Sequence, residues 1–340
     1  MIDQAERGSR KERMYRAFGG SSSGFAPYVA VAVTALLLSL LPLWIGDSRT
    51  LIGVATSGLL FACYAIAFNL IFGSTDQLFL AVGALAGLGA YTSAITSERL
   101  GVPLPIAITL GALAAMAISG VFSWIAVRRS LGIIFTGIVT LTFSLAFDNL
   151  LLGQRELTGG ETGIVVDAGK GAFFRGQVPP YYVFLVLMVG FLVAYVVIHR
   201  SQMGWAFRAL RDDELSAKLA GVNVARYRIY AGAIGGAMLG LSGAMWAHVE
   251  GFISPATFTF VHVDVPVLVM LVFGGIGTLL GPVVGSAFFT YLGEVLASFS
   301  QLRLIVEGTL LIVLFLLLPQ GVVGAVRAGL ARLRRGRKEA

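Results

Sequence analysis

Ionisable and amide side chains inside long apolar stretches are the residues of this sequence best placed to do chemistry. The acidic ones are Asp76, Asp148, Asp264, Glu294 and Glu307, and their polar companions are Asn69, Gln77 and His248. A charge within lipid is costly, so such residues face a bundle interior or a watery path, or they cap helix ends. Most lie within a turn or two of the end of a stretch, which favours capping. Asp148 lies deepest and is predicted to face the interior.

Enzyme chemistry finds little support in these residues. The three histidines are dispersed, and the sequence has no HExxH motif and no nucleophile elbow. The nearest approach to a phosphate loop starts at Gly163, but Lys170 is followed by Gly171 where Ser or Thr is needed. The single Cys63 lies within an apolar run. We therefore expect no catalytic residue, no metal site, no cofactor and no nucleotide bound by this chain.

The elements that position these residues are predicted to be membrane-spanning helices. Of 340 residues, 57% are hydrophobic and 13% are charged, whereas soluble domains carry about 25% charged residues. The apolar stretches are too long and unbroken for barrel strands. The predicted fold is all-α and polytopic, with about ten spans at 27–45, 51–72, 78–96, 103–127, 131–152, 181–198, 227–249, 262–276, 280–299 and 304–318.

Basic residues predict the orientation of these spans. With ten crossings, one set of loops and tails holds 19 Lys and Arg residues and the other set holds 6. The positive-inside rule then makes both termini and the 199–228 loop cytoplasmic and puts the 153–180 segment on the other side. The same distribution explains the net charge of +7 without a nucleic-acid partner. The predicted domains are a basic tail (1–26), a membrane domain (27–320) and a second basic tail (321–340).

An internal repeat is predicted from the arrangement of the spans. Ten crossings divide as 5+5, and an odd half-length inverts the second half relative to the first. The segments GSTDQLFLAVGALAGLGAYTSAI from Gly73 and GGIGTLLGPVVGSAFFTYLG from Gly274 each have a Gly-rich break before a small-residue helix. Gly277, Gly281 and Gly285 are spaced as a packing face, with Pro282 allowing a break. Breaks of this kind can alternatively line the translocation path of a transported solute. Together with the polar residues inside the apolar stretches, this gives the candidate path residues Asn69, Asp76, Gln77, Asp148, Gly275 and Gly277.

The longest polar interruption is the 199–228 loop. It carries six Lys or Arg residues and the acidic cluster 212–214, so it lies in water or against a polar surface. Its apolar residues recur at spacings of three and four, and Gly221 with Asn223 supplies a stop. One short amphipathic helix is predicted.

This loop resembles a known family. The sequence RSQMGWAFRALRDDELSAKLAGVNVARYR from Arg200, with GAYT from Gly89, LTGGETGI from Leu157, FISP from Phe252 and FGGIGTLLGPVVG from Phe273, is similar to the membrane subunits of branched-chain amino acid (leucine, isoleucine, valine) ABC importers. The likeness covers about 60–290. Trp205 replaces the family's usual Arg, and STDQLFLAVGALAG departs from its pattern where the solute path is expected.

The resemblance implies a type II ABC importer-like permease that forms half of a channel in the inner membrane. Its partners are two ABC ATPase subunits, a second permease expected to be a different chain, a periplasmic solute-binding protein contacting 153–180, and membrane lipid. The loop then docks on an ATPase through the apolar face Ala209, Leu215, Ala217 and Leu219 and through charges. The coupling residues implied are Ala209, Arg211, Asp212, Glu214, Ala217 and Gly221.

Two alternatives stay open at the level of sequence. Permeases for urea, short amides or sugars have similar sequences, so the transported solute can be one of these instead of a branched-chain amino acid. An ion-coupled secondary transporter also uses repeats and broken helices, but it needs a mid-membrane acidic site for which Asp148 is the plausible anchor. A membrane enzyme is a more distant third.

Overall fold

The computed structural model describes residues 25–45, 48–166, 176, 178–297, 308–309 and 323. Nearly all of the two predicted tails, most of the predicted span at 304–318 and Glu307 lie outside these residues.

Long apolar helices dominate the described residues. In chain order the helices are α1 (Ala26–Ile45), α2 (Arg49–Thr75), α3 (Val82–Arg99), α4 (Leu104–Arg128), α5 (Ile133–Gly153), α6 (Arg155–Thr158), α7 (Val178–Arg200), α8 (Gln202–Asp212), α9 (Glu214–Leu219), α10 (Val224–Glu250), α11 (Val265–Gly274) and α12 (Gly281–Ala297). Among the described residues, six of them (α1, α2, α4, α5, α7 and α10) are long and apolar enough to cross a membrane. The predicted all-α polytopic architecture is confirmed at this level.

Ten uniform spans are not confirmed, because two regions contain broken helices. Between α2 and α3 the chain leaves the helix at 76–81, and between α11 and α12 it does so at 275–280. Asp76 has a φ of 54°, and Gly275 and Gly277 have φ values of 116° and 73°. A right-handed helix cannot continue through such residues. The predicted spans at 78–96 and 280–299 correspond to α3 with 18 residues and α12 with 17. The predicted span at 262–276 corresponds to a π-helical turn, Phe260–Asp264, that continues into the 10 residues of α11.

The core of the bundle is a close crossing of α10 with α4 and α3. Small residues recur at every fourth position on the facing surfaces of α10 and α4. Added Cβ atoms on Gly232, Gly236 and Gly240 would overlap Ser123, Ser119 and Ala115, respectively. The Ser119 hydroxyl donates a hydrogen bond to the Gly232 carbonyl at 2.7 Å. Within lipid, helix association depends on such close approach, since apolar burial does not favour one neighbour over another.

The other predicted small-residue face is only partly helical. Gly281 and Gly285 lie on α12, and a Cβ on Gly285 would overlap the Met270 carbonyl of α11. Gly277 precedes the helix and lies in the break. Pro282 occupies the first turn of α12, where its missing N–H has no helical partner to lose.

One end of the bundle carries 199–228 and is called the loop face below. The helix α10 starts there and ends at strand β2 (Phe252–Ile253), which pairs antiparallel with β1 (Ile164–Val165). The segments LTGGETGI and FISP, far apart in sequence, thus meet at the opposite end of α10. A Cβ on Gly163 would overlap the Ile253 carbonyl, so the chains approach closely at this pairing.

Candidate functional site

The polar segment between α7 and α10 folds as two short helices, so the prediction of one amphipathic helix is wrong. Helix α8 ends and α9 begins at Asp213, whose backbone is extended with a φ of −163°. Its carboxylate accepts hydrogen bonds from the Ser216 hydroxyl at 2.5 Å and the Leu215 amide at 2.9 Å. These two bonds hold the pKa of Asp213 below its ordinary value. Asp213 is thus an N-cap that restarts the helix, a role that periodicity alone does not reveal.

The second helix of this segment ends in a Schellman-type turn. Gly221 has a φ of 82°. Its amide donates to the Lys218 carbonyl at 3.0 Å, and the Val222 amide donates to the Ala217 carbonyl at 3.0 Å. Ala217 and Val222 also pack together with Ala206. In the structure, the predicted coupling residues Gly221 and Ala217 therefore form the end of α9.

Glu214 connects α9 to the start of α10. Its carboxylate forms an ion pair with Lys218 at 2.7 Å and with Arg228 at 3.0 Å. The hydrogen bond from Lys218, together with Arg228, lowers the pKa of Glu214 and keeps its carboxylate charged at neutral pH. Predicted as a coupling residue, Glu214 is thus held in place within the chain.

Arg228 carries this connection on to the first break. Its Nε donates to the Thr75 carbonyl at 3.3 Å, and the Gln77 side-chain amide donates to the Arg228 carbonyl at 3.1 Å. Thr75 ends α2 and Gln77 lies within the break. The helix α9 is therefore linked through Glu214 and Arg228 to the 76–81 break.

Arg211 connects α8 to the second break. Its guanidinium occupies the space beside Gly277 where a side chain would begin: a Cβ there would overlap Nη1 and lie 2.9 Å from Cζ. Since Gly277 has a φ of 73°, the site favours glycine for its backbone as well. A predicted coupling residue, Arg211, is thus in contact with a predicted path residue, Gly277.

Asn69 holds the same break from the membrane side. Its side-chain amide donates to the Thr278 carbonyl at 2.9 Å, and its side-chain oxygen accepts from the Gly277 amide at 2.7 Å. Asn69 is 1% exposed. A Cβ on Gly73, one turn further along α2, would overlap the Asn69 oxygen. Asn69 thus ties one backbone carbonyl and one backbone amide of the break to α2.

Replacing Asn69 by alanine is expected to destabilise the protein by about 2 kcal/mol, because two hydrogen bonds are lost and two backbone groups of the break lose their partner. The thermal unfolding midpoint of the purified protein in detergent measures this loss. Asn149→Ala is the matched control, since Asn149 is exposed and its side-chain hydrogen bond among the described residues goes to the Leu145 carbonyl of its own helix, at 2.7 Å. Equal shifts in the two variants would contradict the role assigned to Asn69.

The four residues of the predicted apolar docking face do not lie on one exposed surface. Leu215 and Leu219 are 66% and 82% exposed, whereas Ala217 is 3% exposed and Ala209 is partly buried. The expectation that all four share one surface is therefore wrong, because Ala209 and Ala217 pack toward the body of the segment. The side chain of Asp212 lies outside the described residues. The exposed apolar surface of α9 consists of the two leucines.

A cavity of about 590 Å³ lies at the loop face, between the first break, the α4–α5 turn, α8–α9 and the start of α10. Asp76, Gln77, Arg211 and Arg228 are among its lining residues. Burial raises the pKa of Asp76, and the charges of Arg211 and Arg228 oppose that effect. Two predicted path residues, Asp76 and Gln77, and two predicted coupling residues, Arg211 and Glu214, thus line one cavity.

Asp148 lies apart from that cavity. It is half-buried on α5, and its Oδ1 is buried without a hydrogen-bond partner in the described structure. The prediction that it faces the interior is consistent with this burial. Gly275, another predicted path residue, lies at the end of α11, where its amide donates to the Leu271 carbonyl at 2.9 Å.

Asp264 is a site residue that the sequence indicated only as a possible cap. Its carboxylate accepts from the Val82 amide at 2.5 Å and the Gly83 amide at 3.1 Å, and it is 2% exposed. It therefore caps the first turn of α3 from 182 residues away in the chain. Because the partner lies on another element, local cap patterns do not predict this pairing.

Comparison with known proteins identifies the family. The family described as "Branched-chain amino acid transport system / permease component" matches residues 50–318, which contain both breaks, the cavity and α8–α9. This chain belongs to that permease family. The resemblance seen in the sequence is confirmed, and the family is that of a transporter component and not of an enzyme.

Individual relatives agree with the family. The permease is 28% identical over 315 residues to the high-affinity branched-chain amino acid transport system permease protein LivM of Escherichia coli (strain K12), covering 85% of this chain and 73% of that protein. It is 23% identical over 288 residues to LivH of the same strain, covering 79% and 92%. It is also 21% identical over 226 residues to the ribose import permease protein RbsC of Haemophilus influenzae, covering 64% and 68%. No solved structure matches the permease.

Family membership favours the ABC permease interpretation over an ion-coupled secondary transporter. Within the described residues, no group of three or more His, Cys, Asp or Glu side chains is arranged to hold a metal ion. The permease is a multi-pass membrane protein, and hydrogen bonds connect its first break to α10 and its second break to α2.

Proposed function

We propose that this permease forms half of the translocation pathway of an ABC importer for branched-chain amino acids. One observation carries the proposal: the family match includes a polar segment, α8–α9, that is joined to both helix breaks of the membrane domain, directly by Arg211 at the second break and through Arg228 of α10 at the first. Force applied to α8–α9 from outside the membrane would reach the breaks through Glu214 and Arg228 on one side and through Arg211 on the other. Such a rigid connection is what an ATP-driven permease needs to move its helices.

The coupling segment is proposed to dock on an ABC ATPase subunit. Leu215 and Leu219 offer exposed apolar contact area, and Arg211, Asp212 and Glu214 supply charges that orient the encounter. Ala209, Ala217 and Gly221 support the segment from within. Two ATPase subunits then require two such segments, so a second permease completes the channel; the similarity to both LivM and LivH supports a different chain as that partner.

The membrane arrangement is proposed from charge and from the two breaks. We place both termini and the loop face in the cytoplasm, in the inner membrane, because 19 of 25 Lys and Arg belong to that side in the predicted topology. The breaks at 76–81 and 275–280 each precede a short helix, which supports ten crossings in a 5+5 inverted repeat. The paired strands at the other end, with 153–180, are the proposed contact for a periplasmic solute-binding protein.

Leucine uptake tests this function. The permease, its partner permease and two ATPases, reconstituted in liposomes with the binding protein outside, are expected to accumulate radiolabelled leucine only when ATP is enclosed. Liposomes without this permease are the control. Uptake that persists without ATP and collapses with the proton gradient would support the ion-coupled alternative. Uptake of urea or ribose in place of leucine would assign a different solute.

A further inference from the structure

We infer that the cavity at the loop face is a binding site for the free zwitterion of an aliphatic amino acid, held by Asp76, Gln77 and Arg211. That the amino acid is a branched-chain one rests on the proposed function. It adds a ligand site on the side where the transported amino acid is released.

The first observation is a buried oxygen without a donor. Gln77 is 3% exposed, and its amide nitrogen bonds to the Thr75 hydroxyl at 3.0 Å and to the Arg228 carbonyl. Its Oε1 is buried with no hydrogen-bond partner in the described structure. Buried acceptors are nearly always satisfied, so this one lacks a donor that a ligand can supply. The Arg228 carbonyl can only accept, and the Thr75 hydroxyl already donates to the Ile71 carbonyl, so exchanging the amide atoms would place the Gln77 oxygen against two acceptors.

The second observation is that an acidic and a basic side chain line the cavity without forming an ion pair with each other. Within the described part of the chain, the Asp76 carboxylate forms no ion pair or hydrogen bond, and the Arg211 guanidinium forms none either. Both line the cavity, together with the buried Gln77. Asp76 is the C-cap of α2, with a φ of 54°, and the nearby charges of Arg211 and Arg228 favour its ionised form. Both side chains can therefore still accept a ligand group of the opposite charge, and a zwitterion carries both.

The third observation is that part of the remaining wall is apolar. Val127, Ile133 and Val224 line the cavity on the side of the α4–α5 turn and the start of α10. The lining also includes Asp213 and the ion-paired Glu214, Lys218 and Arg228, whose charges compensate one another. The volume of about 590 Å³ lies within the roughly 300–1,000 Å³ of ordinary small-molecule sites. An α-amino acid fits this distribution of groups. Its ammonium donates to Asp76 and Gln77 Oε1, its carboxylate accepts from the fork of Arg211, and its aliphatic side chain contacts the apolar wall.

Equilibrium binding of radiolabelled L-leucine to the full transporter complex in lipid nanodiscs, without the solute-binding protein, tests the site. Wild-type complex is expected to bind saturably, and Asp76→Asn is expected to weaken binding at least tenfold, because asparagine keeps the shape and tolerates the left-handed backbone while losing the charge. Glu250→Gln, an exposed carboxylate at the far end of α10, is the matched control and is expected to bind as wild type does. Absence of saturable binding, or equal binding by Asp76→Asn, overturns the inference.

Analogues of leucine test the site on unaltered protein, so the outcome does not depend on whether Asp76→Asn assembles. Leucinol lacks the carboxylate and 4-methylpentanoate lacks the ammonium; each is expected to compete at least tenfold more weakly than leucine. Competition by either one at the strength of leucine overturns the zwitterion assignment. ATP-driven uptake measured on the same preparations separates the two proposals: normal uptake without binding rejects this site alone, whereas binding without any uptake of leucine rejects the proposed transport function alone.

Discussion

Replacing Gly89 by alanine is expected to remove most of the folded permease from the membrane. A Cβ at this position would overlap the Gly240 carbonyl oxygen and lie 2.5 Å from the Gly240 Cα. Both obstacles are backbone atoms of α10, so relief requires moving a helix that also packs against α4 and α2. Overpacking of this kind costs typically 1–3 kcal/mol, and we expect about 3 kcal/mol here because no side chain can yield.

The measurement is the yield of monodisperse protein and its unfolding midpoint in detergent. Gly190→Ala is the matched control, because a Cβ on Gly190 in α7 would meet no atom within 4 Å. Alanine there is expected to be neutral or slightly stabilising, since it has the higher helix propensity. The packing argument fails if the two alanine variants behave alike.

The double substitution Leu215→Asp and Leu219→Asp is expected to abolish association with the ATPase and, with it, uptake. Both leucines are largely exposed on α9 in the free chain. Burial of a leucine is worth about 1.5–3 kcal/mol, so removing two such contacts weakens binding at least about 100-fold. The fold is expected to survive, because Ala217 and Val222, which anchor this turn, are unchanged.

Co-purification of the ATPase with the tagged permease measures this association. The matched control is Leu100→Asp with Leu157→Asp, two leucines that are 71% and 47% exposed, at the end of α3 and in α6. These are expected to leave ATPase binding unchanged. Retained ATPase binding in the α9 variant, or equal loss in both, would refute docking through Leu215 and Leu219.

Much of the fold could be predicted from the sequence because lipid permits few backbone arrangements. Every peptide group within the hydrocarbon layer must bond internally, so a long apolar stretch is helical wherever it spans. The predicted spans at 27–45, 103–127 and 131–152 accordingly agree closely with α1, α4 and α5. The polar 199–228 loop was equally visible, since its charges cannot lie in lipid.

Less of the site could be predicted. Periodicity suggested one helix in the loop, but it is insensitive to a single residue such as Asp213, whose side chain caps the helix that follows. The predicted face then combined exposed Leu219 with buried Ala217. The coupling roles of these residues remain predictions.

By itself, the sequence determined the membrane class, the helical fold and the family, because hydropathy, charge asymmetry and the loop motif are properties of neighbouring residues. The tertiary structure alone decided which polar groups meet. Asn69 bonds to Gly277 and Thr278, Asp264 caps α3, and Arg211 lies beside Gly277. Hydrophobicity cannot select among equally apolar helices in lipid, so these pairings depend on the shapes of small-residue faces and on which buried polar groups find partners across the bundle.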